Sequence, residues 1–254
     1  MDLDWDRVDH ITKVDPAKSL PTDLSILGET DAIMVGGSDG VTAANTLQTI
    51  ERIQEDIPDI PVLQEPYSSS HVSRDTMEVA DRLAVPAVYN GDNEHFVGKH
   101  LGLFTEVGKQ PDELFGRNIP VVGGLIAKKG QQAVREIAGM IVGEGYVIQH
   151  LDSNAARVAG VTERYSPDEV AGAALATEAF YGFPIFYIEY SGRYGGPRDV
   201  EAAATYLDET ILLYGGGIDR REQTDEILAA GADAVVVGDC FHDDPDRFRR
   251  TIPG

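Results

Sequence analysis

Short apolar runs alternate with longer amphipathic stretches along most of this chain. Eight of the runs are rich in β-branched and aromatic residues and are bounded by glycine, proline or acidic residues, as is typical of buried strands in a parallel sheet. The predicted strands are His10–Asp15, Ala32–Gly40, Ile60–Tyr67, Ala84–Asn90, Tyr146–Leu151, Ile185–Glu189, Ile211–Asp219 and Asp233–Phe241.

Most stretches between these strands have helical periodicity. Thr42 is the predicted N-cap of a helix that runs through Ile53. The other predicted helices are Pro21–Leu27 (ended by Gly28), Glu94–Val107, Gln131–Gly143, Val200–Leu207 and Glu222–Ala230. After Tyr67 the sequence is polar and weakly periodic, so no regular helix is predicted between strands three and four. Residues 108–130 are rich in Gly, Pro and Lys and are predicted to be an insertion.

Strands and helices that alternate in this way over 254 residues predict an α/β fold, a single (β/α)8 barrel of the TIM type, as one domain over residues 1–254. A doubly wound sheet is the alternative. Against it, no GxGxxG follows the first strand, and residues able to do chemistry follow strands one, two, six, seven and eight. In an open sheet such residues should meet at one switch point, so the barrel is favoured.

The charge balance changes the picture of the surface. The chain has 43 acidic and 21 basic residues, a net charge of −22, and only six of its basic residues are lysines. Nucleic-acid binding is disfavoured because it requires clustered basic residues. An acidic, lysine-poor surface favours a protein that stays soluble at molar salt, where charge repulsion is screened. The composition therefore indicates a halophile, with an ordinary acidic mesophilic protein as the alternative.

The cellular setting follows from what the sequence lacks. Cys240 is the single cysteine, which excludes an intrachain disulfide and favours a reducing cytoplasm. The N-terminus has no signal-peptide apolar region, and no apolar run approaches the roughly 18 residues that a membrane span requires. We therefore expect a cytoplasmic protein without a transmembrane segment.

The sixth predicted strand carries the most informative chemistry. Glu189 lies at its carboxyl end between Tyr187 and Tyr190, and the strand leads directly into Ser191 and Gly192. A rigid strand would hold this acid in place, and the loop would offer backbone N–H groups to an anion. The alternative is a buried glutamate paired with a neighbouring cation, followed by a simple turn.

Two further groups lie at strand ends. Gly215–Gly217 follows strand seven and Gly238 follows strand eight, where barrels bind phosphate on backbone N–H groups, although glycines also end strands for turn geometry alone. Lys13 and Asp15 at strand one, with Ser38 after strand two, would supply a cation and oxygen ligands; Asp15 with Ser38 suits Mg²⁺ better than zinc. A simple Lys–Asp salt bridge is the alternative. The sequence contains neither the ATP-binding motif GxxxxGK[ST] nor the zinc-binding motif HExxH, so neither ATP nor this type of zinc site is indicated.

Six motifs together resemble the geranylgeranylglyceryl phosphate synthase family, including its bacterial heptaprenylglyceryl phosphate relatives. In chain order they are TKVDPAK, VGGSDGVT, GEGYVI, PIFYIEYSG, LYGGGI and VVVGD, and they extend over nearly the whole chain. The resemblance implies a modified TIM barrel that transfers a prenyl group from a prenyl diphosphate to the hydroxyl of sn-glycerol 1-phosphate and releases diphosphate. It also implies an irregular third helix and a homodimer.

The resemblance assigns roles residue by residue. Glu189 is implied as the group that accepts the hydroxyl proton or orients the hydroxyl, and Mg²⁺ is implied with Asp15 and Ser38 as its ligands. The implied glycerol-phosphate contacts are Lys13, Tyr187, Ile188, Glu189, Tyr190, Ser191, Gly192, Gly217, Gly238 and Asp239. The family often has Asn at the position of Asp239, so we expect this residue to contribute its backbone N–H rather than its carboxylate.

The partners follow from the same resemblance. The halophilic composition favours an archaeal lipid and hence geranylgeranyl diphosphate, with transient membrane contact for this substrate. A longer prenyl donor stays open. So does another phosphate-binding barrel enzyme, such as an epimerase, an isomerase or a flavin oxidoreductase, or a barrel that binds phosphate without catalysis.

Overall fold

Eight parallel strands close into a barrel in chain order, and β8 pairs with β1. The structure is a computed structural model, and it describes residues 5–109, 135 and 138–253. The strands are β1 (His10–Val14), β2 (Ala32–Val35), β3 (Val62–Gln64), β4 (Arg82–Val88), β5 (Ile141–Ile148), β6 (Ile185–Glu189), β7 (Ile211–Gly215) and β8 (Ala234–Val237). The predicted TIM-type barrel is confirmed.

Helices surround the barrel in the described part of the chain. They are α1 (Ala43–Asp56), α2 (Arg74–Val79), α3 (Asn93–Lys109), α4 (Asn154–Ala159), α5 (Pro167–Ala176), α6 (Arg198–Ala204), α7 (Arg221–Ala229), α8 (Asp239–Asp243) and α9 (Pro245–Arg249). Short 3₁₀ helices span Trp5–Arg7, Ser25–Glu29 and Ser69–His71, and a π-helical turn spans Thr177–Tyr181. None of the helices in the described ranges is long and apolar enough to cross a membrane.

Successive side chains along each strand point alternately into two apolar layers. Phe186 and Ile188 belong to the cluster that packs against Ile50 of α1 and Ile227 of α7, outside the barrel. Tyr187, between them, belongs to a second cluster made of the residues that face the barrel interior. This period of two is the consequence of strand geometry, and it directs every second residue of β6 towards the axis.

Several predicted elements are confirmed in place. Thr42 caps α1, because its hydroxyl accepts from the Asn45 N–H while the Asn45 side chain accepts from the Thr42 N–H. The irregular third crossover is confirmed as well, since a 3₁₀ turn and the six-residue α2 replace a full helix. Most of the predicted insertion at 108–130 lies outside the described residues.

One predicted helix is wrong, and a second, part of which lies outside the described residues, ends too late along the chain. Pro21–Leu27 is not a helix that ends at Gly28; a 3₁₀ helix spans Ser25–Glu29 instead, because the apolar segment is too short for more than one turn. The predicted Gln131–Gly143 helix overruns β5, which begins at Ile141 rather than Tyr146. Ile141 pairs with Leu83 of β4, since a β-branched apolar run satisfies either period and strand pairing decides between them.

The segment between β5 and β6 holds two helices that the sequence analysis does not assign. Ser153 caps α4 and Ser166 caps α5, each by accepting a backbone N–H three residues later. Both helices therefore have ordinary N-cap signals.

Candidate active site

A cavity of about 350 Å³ opens at the carboxyl ends of the strands. Ten of the twelve predicted site residues line it: Lys13, Asp15, Ser38, Tyr187, Glu189, Ser191, Gly192, Gly217, Gly238 and Asp239. The register of the barrel places Glu189 level with Ile148 of β5 and Gly215 of β7, so the loops after these strands meet around one mouth. The structure therefore brings these ten residues together around one mouth.

Glu189 is a buried carboxylate held by donors on both oxygens. The backbone N–H of Ser191 donates to Oε1, and the Tyr146 hydroxyl donates to Oε2 over 3.1 Å. Burial raises the pKa of Glu189 above its ordinary value, while the charge of Lys13 and the Ser191 N–H lower it again. A carboxylate that is desolvated yet still anchored can accept a proton near neutral pH.

The backbone just after Glu189 is strained. Ser191 has a φ of 34°, the one positive φ among the non-glycine residues that the structure describes, and Gly192 follows with a φ of 74°. Such strain costs about 1–3 kcal/mol and clusters at functional sites. The carbonyl of Ser191 accepts a 2.9 Å hydrogen bond from Nδ1 of His150, which stabilises the turn.

Lys13 forms an ion pair that the sequence analysis missed. Its ammonium contacts Oε2 of Glu65, just after β3, and lies 5.9 Å from the centre of the Tyr187 ring. The expected alternative partner was Asp15. Glu65 directly follows Leu63 and Gln64 at the end of the third strand. Glu189 was selected because it is an acid at the end of a strand, and the same criterion would have selected Glu65.

Asp15 and Ser38 line one side of the mouth together. The Asp15 carboxylate accepts from the Ala17 N–H at 2.9 Å, and a Cβ at Gly37 would lie 2.6 Å from its Oδ1, so the glycine keeps space beside it. His242 accepts the Asp15 backbone N–H at 3.1 Å. The carboxylate and hydroxyl oxygens fit Mg²⁺. Since the described residues contain no group of three or more His, Cys, Asp or Glu that could hold a metal, water and substrate would complete its coordination.

The glycines after β7 serve turn geometry in part. Gly216 and Gly217 have φ values of 140° and 60°, and a Cβ at Gly217 would collide with the backbone of Arg193 and Tyr194. The loop after β7 therefore packs directly on the loop after β6. Close packing also explains Gly215, because a Cβ there would overlap the Tyr187 hydroxyl.

Asp239 takes a different position from the one expected. It is the first residue of α8, and its side chain is exposed. Its Oδ1 forms an ion pair with the ammonium of Lys18, in the loop after β1, over 2.9 Å. A Cβ at Gly192 would lie 2.8 Å from its other oxygen, Oδ2. The carboxylate therefore lies at the mouth, between the loops that follow β1 and β6. The predicted contribution of its backbone N–H stays a prediction.

Ile188 and Tyr190 are the two predicted site residues that do not line the cavity. The Ile188 side chain is fully buried in the outer layer. The Tyr190 hydroxyl donates to Asp199 over 2.6 Å and its ring packs in the same layer. Substrate contact for these two residues would have to come from their backbone, and it stays a prediction.

Glu144 is a buried acid without a hydrogen-bond partner on either oxygen. It lies in β5, is fully excluded from solvent, and pairs in register with Ile185. Burial, followed by the charge of Glu65, raises its pKa well above the ordinary value, and the charge of Lys13 offsets only part of this. Burial and the charge of Glu65 therefore favour the protonated, neutral form of Glu144.

The closed barrel, with a buried and anchored carboxylate facing an oxygen-lined corner at the carboxyl ends of the strands, defines a (β/α)8-barrel enzyme. The chain belongs to the PcrB family, whose family model matches residues 3–253. This finding confirms the resemblance on which the site residues were assigned.

Named relatives extend along the whole chain. It is 32% identical over 244 residues to a geranylgeranylglyceryl phosphate synthase from Methanocella arvoryzae, covering 94% of this chain and 92% of the relative. It is 30% identical over 246 residues to a heptaprenylglyceryl phosphate synthase from Listeria monocytogenes, covering 95% of each.

A solved structure has the same fold. The (S)-3-O-geranylgeranylglyceryl phosphate synthase from Thermoplasma acidophilum, in complex with sn-glycerol-1-phosphate, is 22% identical with a TM-score of 0.70. The match covers 96% of this chain and 93% of that one. At this identity the likeness shows the barrel fold.

Proposed function

We propose that this chain is a prenyltransferase that joins a geranylgeranyl group to sn-glycerol 1-phosphate through an ether bond. The hydroxyl oxygen of glycerol phosphate bonds to the first carbon of the prenyl diphosphate, the bond from that carbon to diphosphate breaks, and the hydroxyl proton passes to Glu189. The observation that carries the proposal is the anchored Glu189 carboxylate at the wall of the cavity, with donors on both oxygens.

The second half of the reaction requires a place for the leaving diphosphate. Asp15 and Ser38 would hold Mg²⁺, which supplies the positive charge that a departing diphosphate requires. The proposal thus separates the two substrates across the mouth, with glycerol phosphate beside Glu189 and Ser191 and the diphosphate beside Asp15. Both named relatives, whose printed names differ in prenyl length, support a common reaction.

The prenyl donor is proposed from composition. The net charge of −22 favours a halophilic archaeal source and hence geranylgeranyl rather than heptaprenyl. Because the donor is a lipid, contact with a membrane surface would be transient. The homodimer stays a prediction of the family resemblance, and the cytoplasmic location stays a prediction from the single cysteine and the N-terminal sequence.

The experiment is incubation of the purified chain with labelled sn-glycerol 1-phosphate, Mg²⁺ and one prenyl diphosphate at a time, followed by solvent extraction. We expect labelled lipid with geranylgeranyl diphosphate and less with the farnesyl and heptaprenyl donors. Extraction without any labelled lipid, whichever donor is supplied, would overturn the function. Most product with heptaprenyl diphosphate would retain the reaction but overturn the proposed donor.

A further inference from the structure

The cavity has fewer free positive charges than its proposed substrates require. Lys13 and Lys18 are the cationic Lys or Arg side chains among the described residues that line it, against the acids Asp15, Glu65, Glu189 and Asp239. Lys13 is already paired with Glu65 inside the barrel, where its side chain is 18% exposed. The cation that can change partner at low cost is therefore Lys18.

Lys18 lies at the mouth and is exposed enough to change partner. Its side chain is 43% exposed and pairs with Asp239, which is 55% exposed. Ion pairs between side chains this exposed contribute little to stability, so releasing one costs little. The long, flexible stem of lysine lets its ammonium follow a phosphate over several ångströms.

The ion pair is not required to hold the loop after β1. His242 of α8 already bonds this loop at two places: Nε2 accepts from the Asp15 N–H at 3.1 Å, and Nδ1 lies 3.2 Å from the Ser19 carbonyl oxygen. These contacts tie the loop to α8 on both sides of Lys18. The Lys18 ammonium is thus free to serve a ligand.

The position of Asp239 indicates which ligand. Its Oδ2 lies against Gly192, in the loop that follows Glu189, while its Oδ1 holds Lys18. A phosphate bound on that loop would meet the Asp239 carboxylate and be repelled by it. A cation placed between the two would remove the repulsion and gain the phosphate as a stronger, doubly charged partner.

We propose that Lys18 is a substrate-binding residue whose ammonium moves from Asp239 to the phosphate of sn-glycerol 1-phosphate. Asp239 thus acts as a counterion that occupies Lys18 until the substrate arrives. The proposal deepens the proposed function and rests on it, since it assumes that glycerol phosphate binds on the loop after β6.

The test measures the dissociation constant of sn-glycerol 1-phosphate by titration calorimetry at fixed ionic strength. We expect Lys18→Gln to weaken binding about tenfold, the loss typical of one charge-assisted hydrogen bond, and Lys18→Arg to restore most of it. Asp239→Asn should instead tighten binding, because it frees Lys18 and removes a repulsive charge. Arg249→Gln breaks a comparable exposed ion pair, the 3.0 Å contact to Glu29 away from the cavity, and serves as the matched control.

The opposite expected effects of Lys18→Gln and Asp239→Asn on the dissociation constant distinguish substrate binding from a purely structural role of the ion pair. Equal weakening by Lys18→Gln and Asp239→Asn would mean that the pair only holds the loop, and it would overturn the proposal. So would unchanged binding in Lys18→Gln, or an effect confined to the KM of the prenyl diphosphate. A wild-type chain that does not bind sn-glycerol 1-phosphate would overturn the proposed function itself, and this assignment with it.

Discussion

The Tyr146 hydroxyl donates a 3.1 Å hydrogen bond to Oε2 of Glu189 from the neighbouring strand β5. The ring centres of Tyr146 and Tyr187 lie 4.6 Å apart. With the Ser191 N–H on the other oxygen, the carboxylate is fixed in orientation as well as desolvated. Its basicity is therefore set by contacts that can be removed one at a time.

Glu189→Gln is expected to lower kcat by about 10²–10⁴-fold, the usual contribution of a general base. Binding of sn-glycerol 1-phosphate should change far less, because the amide oxygen can still accept from the Ser191 N–H. Single-turnover kinetics and calorimetry measure the two quantities separately. Turnover close to that of the wild type would exclude Glu189 as the base.

Tyr146→Phe is expected to shift the pH profile of kcat. Loss of a donor to the carboxylate raises the pKa of Glu189, and a base works only when ionised, so the acidic limb should move to higher pH by up to about one unit. Tyr165→Phe is the control, since its hydroxyl donates to the Tyr89 carbonyl and has no bond to Glu189. An acidic limb that moves equally in both variants would contradict the assignment.

Asp15→Asn is expected to raise the Mg²⁺ concentration required for half-maximal activity by about tenfold or more, because an amide oxygen is a weaker ligand than a carboxylate. Asp39→Asn tests the same exchange beside Ser38, where the carboxylate pairs with Arg157 on the surface. Activity titrations against Mg²⁺ measure the shift. Identical Mg²⁺ curves for wild type and Asp15→Asn would remove Asp15 from the metal site.

Glu144→Gln is expected to make the unfolding free energy less sensitive to pH. The folded state retains the Glu144 proton above the ordinary pKa of 4.5, at which the unfolded chain releases it. The contribution of protonated Glu144 to stability is therefore fully present below about pH 4.5 and is lost as the pH rises through its higher folded pKa, whereas a neutral amide has no such loss. Urea unfolding at pH 5 and pH 8 measures this, with exposed Glu51→Gln as the control for the exchange itself. An unfolding free energy that depends on pH as steeply in Glu144→Gln as in the wild type would contradict the raised pKa of Glu144.

Gly145→Ala is expected to destabilise the barrel by about 1–3 kcal/mol, the typical cost of overpacking. The new methyl group would overlap the Thr177 hydroxyl and lie 2.7 Å from the Tyr89 hydroxyl. Gly172→Ala, in the middle of α5 with nothing within 4 Å, should stabilise by about 0.5–1 kcal/mol. Thermal unfolding of both variants compares them directly, and loss of stability in both would contradict the packing argument.

The sequence predicted the barrel and the strand ends because both depend on local patterns. Strand runs, the Thr42 cap and acids at strand ends are readable within a few residues, and they located Glu189 and Asp15 at one mouth. Contacts between side chains on different strands could not be predicted from the sequence. Lys13 and Glu65 lie 52 positions apart and Tyr146 and Glu189 lie 43 apart, so only closure of the sheet decides that they meet.

The burial of individual side chains is a second property that the sequence did not predict. Ile188 and Tyr190 lie within the PIFYIEYSG motif, yet the strand period turns their side chains towards the outer layer. Glu144 carries no local signal that separates it from the exposed acids of this acidic chain. Halophily stays a prediction from composition.

Two tyrosines beside the cavity restrict which residues can occupy two glycine positions elsewhere in the sequence. The Tyr187 hydroxyl fills the place of a Cβ at Gly215, and the Tyr190 ring fills that of a Cβ at Gly195. The glycine cannot change first during evolution: a larger residue at 215 becomes acceptable only after Tyr187 has become smaller. Relatives should therefore exchange these residues as pairs, and a tyrosine lost at 187 should open position 215 to drift.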